Sequence, residues 1–250
     1  MKLYKYYSFD KGNYSINGLQ NSQVYFSDPL GFNDPFDSKP ELVNVEFKDQ
    51  ADVIVARDRV FASADSGLLR ELYAMPITKL EALMKGKYEE IMRRELENCG
   101  VTCYSESGIN NAMWYYYADK HKGFVLEFDK SNPYFDKCYK VNYSDVYPVI
   151  TGAKIGNVDP NAPKLVSSIF LNKSEEWKHE KEWRCIHNEK AIAFEFEPEM
   201  LTGVVLGKDC EEENENKIKE ILEQSKFEHV TLEKLEMVPN SYKLNPMKIK

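Results

Sequence analysis

The segment WKHEKEWR, residues 177–184, carries the side chains best suited to acid–base chemistry. On a strand, Glu180, Glu182 and Arg184 lie on one face, because side chains alternate between the two faces. Burial favours the protonated form of one carboxyl group, and a neighbouring cation favours the ionised form of another. Acid–base catalysis uses such a pair of carboxyl groups. The alternative is a surface ion-pair ladder, worth about 0–1 kcal/mol per pair. Flanking tryptophans favour partial burial, so we expect Glu182 to be catalytic, with Glu180 as the alternate and Arg184 beside them.

The segment YFSDPLGFNDPFD, residues 25–37, places polar side chains among phenylalanines and prolines. Prolines and apolar anchors make a loop rigid, and rigid loops position polar groups for ligands. Ser27, Asn33 and Asp34 are therefore candidate ligand-binding residues. The alternative is that Asn33 and Asp34 satisfy backbone groups of a local turn.

A third segment, MWYYYADKHKGFVLEFD, spans residues 113–129. At helical spacing, Trp114, Tyr117, Ala118 and His121 share one face. Such a stripe is more often core than cofactor site, which predicts that Trp114 and Tyr117 are largely buried. His121 is a candidate base, or a side chain that caps a helix end.

Composition narrows the classes of function. The net charge of −8 argues against broad binding to phosphates, although a local basic patch stays compatible with it. The chain shows no P-loop and no G-x-G-x-x-G, G-x-S-x-G or H-E-x-x-H pattern, which disfavours the common enzymes that carry them. No stretch is apolar enough to span a bilayer and no apolar signal segment opens the chain. We expect a cytoplasmic protein with no membrane partner.

The cysteine count predicts reduced thiols and no bound metal. The chain has five cysteines, an odd number, and none forms a C-x-x-C pair. His179, Cys185 and His187 lie close in sequence and could share a zinc ion. Structural zinc sites usually have four ligands, so we predict no metal there.

Hydrophobic periodicity predicts an α+β fold with a mixed or mainly antiparallel sheet, with helices inserted in the first two thirds. We expect a single domain over residues 1–250. A Thr-x-x-Glu capping box at Thr78 and Glu81, with Gly100 as the C-cap, delimits the clearest helix. Further helices are expected over residues 50–75, 110–121, 164–178 and 210–225. Strands are expected over residues 3–9, 23–27, 101–105, 123–129, 139–143, 182–187, 191–197, 201–206, 230–237 and 242–244.

Taken in order, YKYYS, YFSDPLGFNDPFD, VTCYSES, MWYYYADKHKGFVLEFD and WKHEKEWR resemble a bacterial family catalogued as domain of unknown function 2971. The resemblance covers residues from about 3 to about 207 and includes LTGVVLG, with residues 208–250 completing the domain. It implies no activity, but it implies that these segments form one functional unit.

The chain order also resembles ADP-ribosyltransferase-like proteins, which carry a polar residue on a first strand, an aromatic residue or serine on a second and a glutamate on a late strand. The corresponding positions here are Lys5 or Tyr6, residues 25–27, and Glu180 or Glu182; Lys5 stands where such enzymes have histidine or arginine. This resemblance implies NAD as substrate and cleavage of its nicotinamide–ribose bond, with transfer of ADP-ribose to a protein or nucleic-acid acceptor. The expected substrate- or cofactor-binding residues are Lys5, Tyr6, Tyr25, Ser27, Asn33, Asp34, Tyr117, His121 and Trp177.

Two other functions stay open. The same polar cleft could bind a nucleotide or a protein segment without chemistry. A metal-dependent nuclease or phosphohydrolase would instead use Asp34, Glu180 and Glu182, because hard divalent cations prefer carboxylate oxygens. In each case a shared cleft predicts that the first two strands and strand 182–187 are neighbours in one sheet.

Overall fold

The computed structural model describes residues 1–151 and 167–249. The chain forms two compact units, each built from separate stretches of sequence. Unit 1 comprises Met1–Ser27, Gly100–Val141 and Glu176–Lys250, and unit 2 comprises Asp28–Cys99 and Asn142–Glu175. The expectation of one domain over the whole chain stays a prediction.

Unit 1 is built on an eight-stranded sheet, which confirms the α+β class. Only β12 and β13 pair in parallel among the strands of this sheet in the described residues; the other pairs are antiparallel. Its strands are β1 (Lys2–Tyr7), β4 (Gly100–Ser105), β5 (Phe124–Asp129), β6 (Cys138–Lys140), β10 (Glu182–His187), β12 (Leu201–Leu206), β13 (Thr231–Met237) and β14 (Leu244–Lys248). Their order across the sheet is β14-β13-β12-β5-β1-β4-β10-β6.

A two-stranded sheet and three helices complete unit 1. Strand β2 (Gln23–Phe26) pairs with β11 (Ile192–Glu195), and the helices are α1 (Tyr14–Gln20), α5 (Asn111–Tyr117) and α7 (Glu212–Leu222). Beyond β2, the amide groups of Ser27 and Val101 exchange two hydrogen bonds of 2.9 Å. The prediction that β2 belongs to the same sheet as β1 and β10 is therefore wrong, and β4 separates β1 from β10.

The core of unit 1 follows the alternation of side chains along its central strands. Phe124, Leu126 and Phe128 of β5 pack into the larger apolar cluster, whereas Val125 packs with Trp114. Trp114 is fully buried, as its position on the aromatic stripe predicts, but Tyr117 is only half-buried. Ala118 and His121 are also buried, so Tyr117 is the accessible position of the stripe.

Unit 2 is mainly helical. Its helices are α2 (Gln50–Val60), α3 (Ser66–Ala74), α4 (Ile77–Asn98) and α6 (Ser167–Phe170). Two short parallel strand pairs accompany them, β3 (Asn44–Glu46) with β8 (Val149–Thr151), and β7 (Asn142–Tyr143) with β9 (Asn172–Lys173). Helix α4 buries Leu80, Met84, Tyr88, Met92 and Leu96.

Both predicted caps of α4 are wrong. Pro76 occupies the N-cap and no side chain caps the helix, because Ile77 already lies in the first turn and Thr78 is helical. Gly100 opens β4 instead of ending α4. A Cβ on Gly100 would lie 2.4 Å from the Glu189 carbonyl oxygen and 2.8 Å from the Phe26 Cβ, so close packing accounts for this glycine.

Two other element predictions need correction. The helix expected over residues 164–178 lies partly outside the described residues, and the described part holds α6, β9 and a 3-10 helix over Glu175–Glu180. The strand expected over residues 242–244 is β14, which begins where the prediction ends.

The expectation of five reduced cysteines is also wrong. Cys138 of β6 and Cys185 of β10 lie directly opposite each other in the sheet and form a disulfide. Cys99, Cys103 and Cys210 form no disulfide in the described residues. In the described ranges, no helix is long and apolar enough to cross a membrane.

Candidate functional site

Unit 1 contains a cavity of about 810 Å³ that collects many of the predicted binding residues. Its walls include Lys5, Tyr6, Tyr25, Ser27 and Tyr117, which come from three distant parts of the chain. A volume of this size lies in the range of small-molecule and cofactor sites, about 300–1,000 Å³.

Strand β4 explains why these segments converge. Tyr4 of β1 pairs with Ser105 at one end of β4, and Ser27 bonds to Val101 near the other end. Both segments are thereby held along the same edge of β4, because β10 pairs along its other edge. The sequence showed the polar residues but not this arrangement, because both pairings are distant in sequence.

The Lys5 amine lies in aromatic surroundings. Its Nζ donates a hydrogen bond to the Cys103 carbonyl oxygen at 3.3 Å and lies 5.5 Å from the ring centroids of Tyr7 and Tyr104. Burial lowers the pKa of Lys5, whereas the Cys103 thiol and the Glu182 carboxylate act in the opposite direction.

A short hydrogen bond connects the cavity wall to a buried carboxylate. The Tyr117 hydroxyl donates to Glu180 Oε1 at 2.6 Å, and Glu180 is almost fully buried. Burial and then the Glu180 charge raise the pKa of Tyr117, so its hydroxyl stays protonated and can donate. Ser105 Oγ donates to the Glu180 carbonyl oxygen at 2.6 Å, which anchors the backbone at this carboxylate.

Glu180 does not lie on strand β10, in contrast to the sequence prediction. It ends the 3-10 helix Glu175–Glu180, and the strand begins at Glu182. Between them, Lys181 adopts a left-handed backbone with φ of 47°, which breaks the two-residue alternation. The two carboxylates therefore have different surroundings.

Glu182 and Arg184 do share a face of β10, as predicted. Arg184 Nε donates to Glu182 Oε1 at 2.8 Å and its Nη2 donates to Oε2 at 3.0 Å, a two-point contact between buried groups. Glu182 also acts electrostatically on two cavity residues, Lys5 and Tyr117. The pair is a buried ion pair, which excludes the surface-ladder alternative.

Trp177 and His121 do not line this cavity. The Trp177 ring packs against Tyr116 and His179, with centroids 6.3 and 6.0 Å apart. His121 follows the end of α5, and its ring stacks on that of Trp114. Residues 119–121 form a turn in which all three have positive φ. Burial lowers the pKa of His121, and its Nδ1 has no hydrogen-bond partner among the described residues.

Asn33 and Asp34 belong to unit 2. Asn33 is exposed, and Asp34 is buried with Oδ1 accepting a hydrogen bond of 2.9 Å from the Phe36 amide. This contact is the local turn that the alternative interpretation predicts.

Several cavity residues were missed by the sequence argument. Tyr7, Asp10, Tyr14 and Ser15 also line the cavity, and they follow directly from β1 into α1. Asp10 accepts hydrogen bonds from the amides of Tyr14 and Ser15 and from Ser15 Oγ, at 2.8–3.0 Å. Asp10 lies three residues before the N-cap Asn13, so the signal that could have identified this segment is the turn-forming set Asp10, Gly12 and Asn13.

The ranges that the structure describes contain no group of three or more His, Cys, Asp or Glu side chains placed to hold a metal ion. Cys185 of the alternative zinc set is bonded to Cys138. For the nuclease alternative, Asp34 lies in unit 2 and the two glutamates lie in unit 1.

Comparison with known families gives one match. Residues 113–185 match the model of a family described as "Protein of unknown function (DUF2971)", a stretch shorter than half of the chain. It includes α5, β5, β6 and the start of β10, and thus Tyr117, Glu180 and Glu182. Comparisons with curated proteins and with solved structures found no match.

Proposed function

We propose that the cavity of unit 1 binds NAD and that the protein cleaves the nicotinamide–ribose bond, passing ADP-ribose to water or to a protein or nucleic-acid acceptor. One observation carries the proposal. Lys5, Tyr6, Tyr25, Ser27 and Tyr117, named from the sequence as ligand-binding residues, line one cavity. Tyr117 joins that cavity to the Glu180 carboxylate.

The composition of the walls suits a nucleotide. Tyr25 is about half exposed, so its ring is available to a planar base or nicotinamide. The hydroxyl groups of Ser27 and Tyr117 can bond to ribose oxygens, and Tyr6 is anchored by its hydroxyl bond of 2.7 Å to the Ser107 carbonyl oxygen. These groups combine stacking and polar contacts at one site.

The reaction needs a negative charge near the ribose. When the glycosidic C–N bond breaks, its electron pair leaves with nicotinamide and the ribose becomes oxocarbenium-like. A buried carboxylate stabilises the positive charge on this ribose, because surroundings of low polarity strengthen the attraction between the two. The acceptor oxygen then bonds to the ribose carbon and loses its proton, for which the Tyr117–Glu180 pair provides a route to a base.

Glu180 takes precedence over Glu182 in this proposal. Glu182 contacts Arg184 at two points, and Glu180 contacts a side chain of the cavity wall directly. Glu182 contributes to the local potential, and Arg184 holds it in place.

The test is nicotinamide release from NAD by the purified protein, with and without candidate acceptors. Wild type should release nicotinamide, and Glu180→Gln should lower the rate about 100-fold, within the range of general acid–base effects. Calorimetry should show that the variant still binds NAD. Binding without release in wild type would favour the noncatalytic module, and neither binding nor release would contradict the proposal.

A further inference from the structure

Lys5 has an unusual combination of burial and access. It lies on β1, its side chain lines the cavity, and its amine is surrounded by the rings of Tyr7 and Tyr104. Its hydrogen bond goes to a backbone carbonyl oxygen, that of Cys103. The amine therefore lies beside open volume, and Lys5 as a whole is half-buried.

The charge balance around Lys5 is incomplete. No carboxylate of the described residues forms an ion pair with its Nζ, and the nearest acid that acts on it, Glu182, is engaged by Arg184. Partial removal of an ammonium from water without a carboxylate partner is costly, which favours the neutral amine. Burial accordingly lowers the pKa of Lys5.

We propose that Lys5 is a nucleophilic amine that binds aromatic aldehydes covalently, as an imine, inside the cavity. A neutral lysine in apolar surroundings is the form that attacks carbonyl groups. The tyrosine rings of the walls favour a flat, aromatic ligand. Imine formation at Lys5 does not require NAD cleavage, although Lys5 lines the same cavity.

The chemistry balances without an oxidant or reductant. The Nζ electron pair forms a bond to the carbonyl carbon, and a proton moves from nitrogen to the carbonyl oxygen, giving a carbinolamine. The carbinolamine then loses water, which is formed from its hydroxyl group and the second N–H proton, and the imine results. Burial raises the pKa of Tyr7, so this wall residue keeps its hydroxyl proton and can assist the departure of water.

Lys2 provides a matched comparison on the same strand. Its side chain is 53% exposed and forms an ion pair with Glu127, so it represents an ordinary surface lysine. The full-length protein is treated with pyridoxal at neutral pH, the imines are fixed with borohydride, and the labelled peptides are quantified by mass spectrometry. Lys5 should be labelled about tenfold faster than Lys2, because a larger fraction of its amine is neutral at this pH.

Two variants and one competitor complete the test. Lys5→Arg should remove the fast-labelling fraction, whereas Lys2→Arg should retain it. Pyridoxine, which has the ring but no carbonyl group, should slow labelling without forming an adduct. The proposal is overturned if Lys5 in wild-type protein is labelled no faster than Lys2, a comparison that does not depend on how either variant folds.

Discussion

At the scale of single residues, the site depends on how two glutamates that are two positions apart acquire different roles. The positive φ of Lys181 separates them, so that Glu180 contacts Tyr117 and Glu182 contacts Arg184. The residue types were readable from the sequence. The break in alternation was not, because a left-handed lysine has no sequence signal comparable to glycine.

Glu182→Gln should destabilise the protein. The change leaves the buried Arg184 guanidinium without its full counter-charge, and removal of one partner of a buried pair costs about 3–5 kcal/mol. We expect a lower urea midpoint, contrary to what the sequence alone suggests for a purely catalytic residue. Glu213→Gln, which removes an exposed i,i+4 partner of Lys217, is the control and should leave the midpoint unchanged. Equal midpoints for all three proteins would refute the buried-pair account.

At the scale of elements, periodic strands were predicted closely and irregular connections were not. The strands Glu182–His187 and Leu201–Leu206 have the predicted bounds, because apolar runs and turn residues delimit them. Strand β2 was found, but its partner β11 lies far along the chain, and sequence periodicity does not identify such partners. The cavity could not be predicted for the same reason, because pairings between residues distant in sequence bring its walls together.

Helix α1 should depend on Asp10. Asp10→Ala removes the acceptor for the Tyr14 and Ser15 amides and should cost about 1 kcal/mol, a typical value for loss of a helix cap. Because α1 lines the cavity, the variant should also weaken ligand binding. An unchanged denaturant midpoint would show that the cap contributes nothing.

The pH dependence of this cap has a definite sign. Burial raises the pKa of Asp10, but the hydrogen bonds from Ser15, Tyr14 and Gly12 outweigh it and lower the pKa below its ordinary value. The stabilisation is therefore complete above about pH 4, the unfolded value, and is lost as the pH falls through the folded pKa. Asp10→Asn retains an acceptor oxygen and should lack this acid-dependent loss.

At the scale of the molecule, the five cavity residues named from the sequence all lie in unit 1, whereas Asn33 and Asp34 lie in unit 2. The ordered series of segments predicted one functional unit, and the family match over residues 113–185 covers the part that holds Tyr117 and both glutamates. The α+β class followed from composition and periodicity. The disulfide could not be predicted, because the number of cysteines carries no information on which strands become neighbours.

The central claim is that the cavity of unit 1 is the site of chemistry and that Tyr117 couples it to Glu180. The most direct measurement compares nicotinamide release by Tyr117→Phe and Tyr116→Phe. Both changes remove one hydroxyl group from α5, but Tyr117 lines the cavity and Tyr116 is 61% exposed. Tyr117→Phe should lower the rate at least about tenfold, a loss of about 1.4 kcal/mol of transition-state stabilisation, and Tyr116→Phe should match wild type. Equal rates for the two variants would contradict the account.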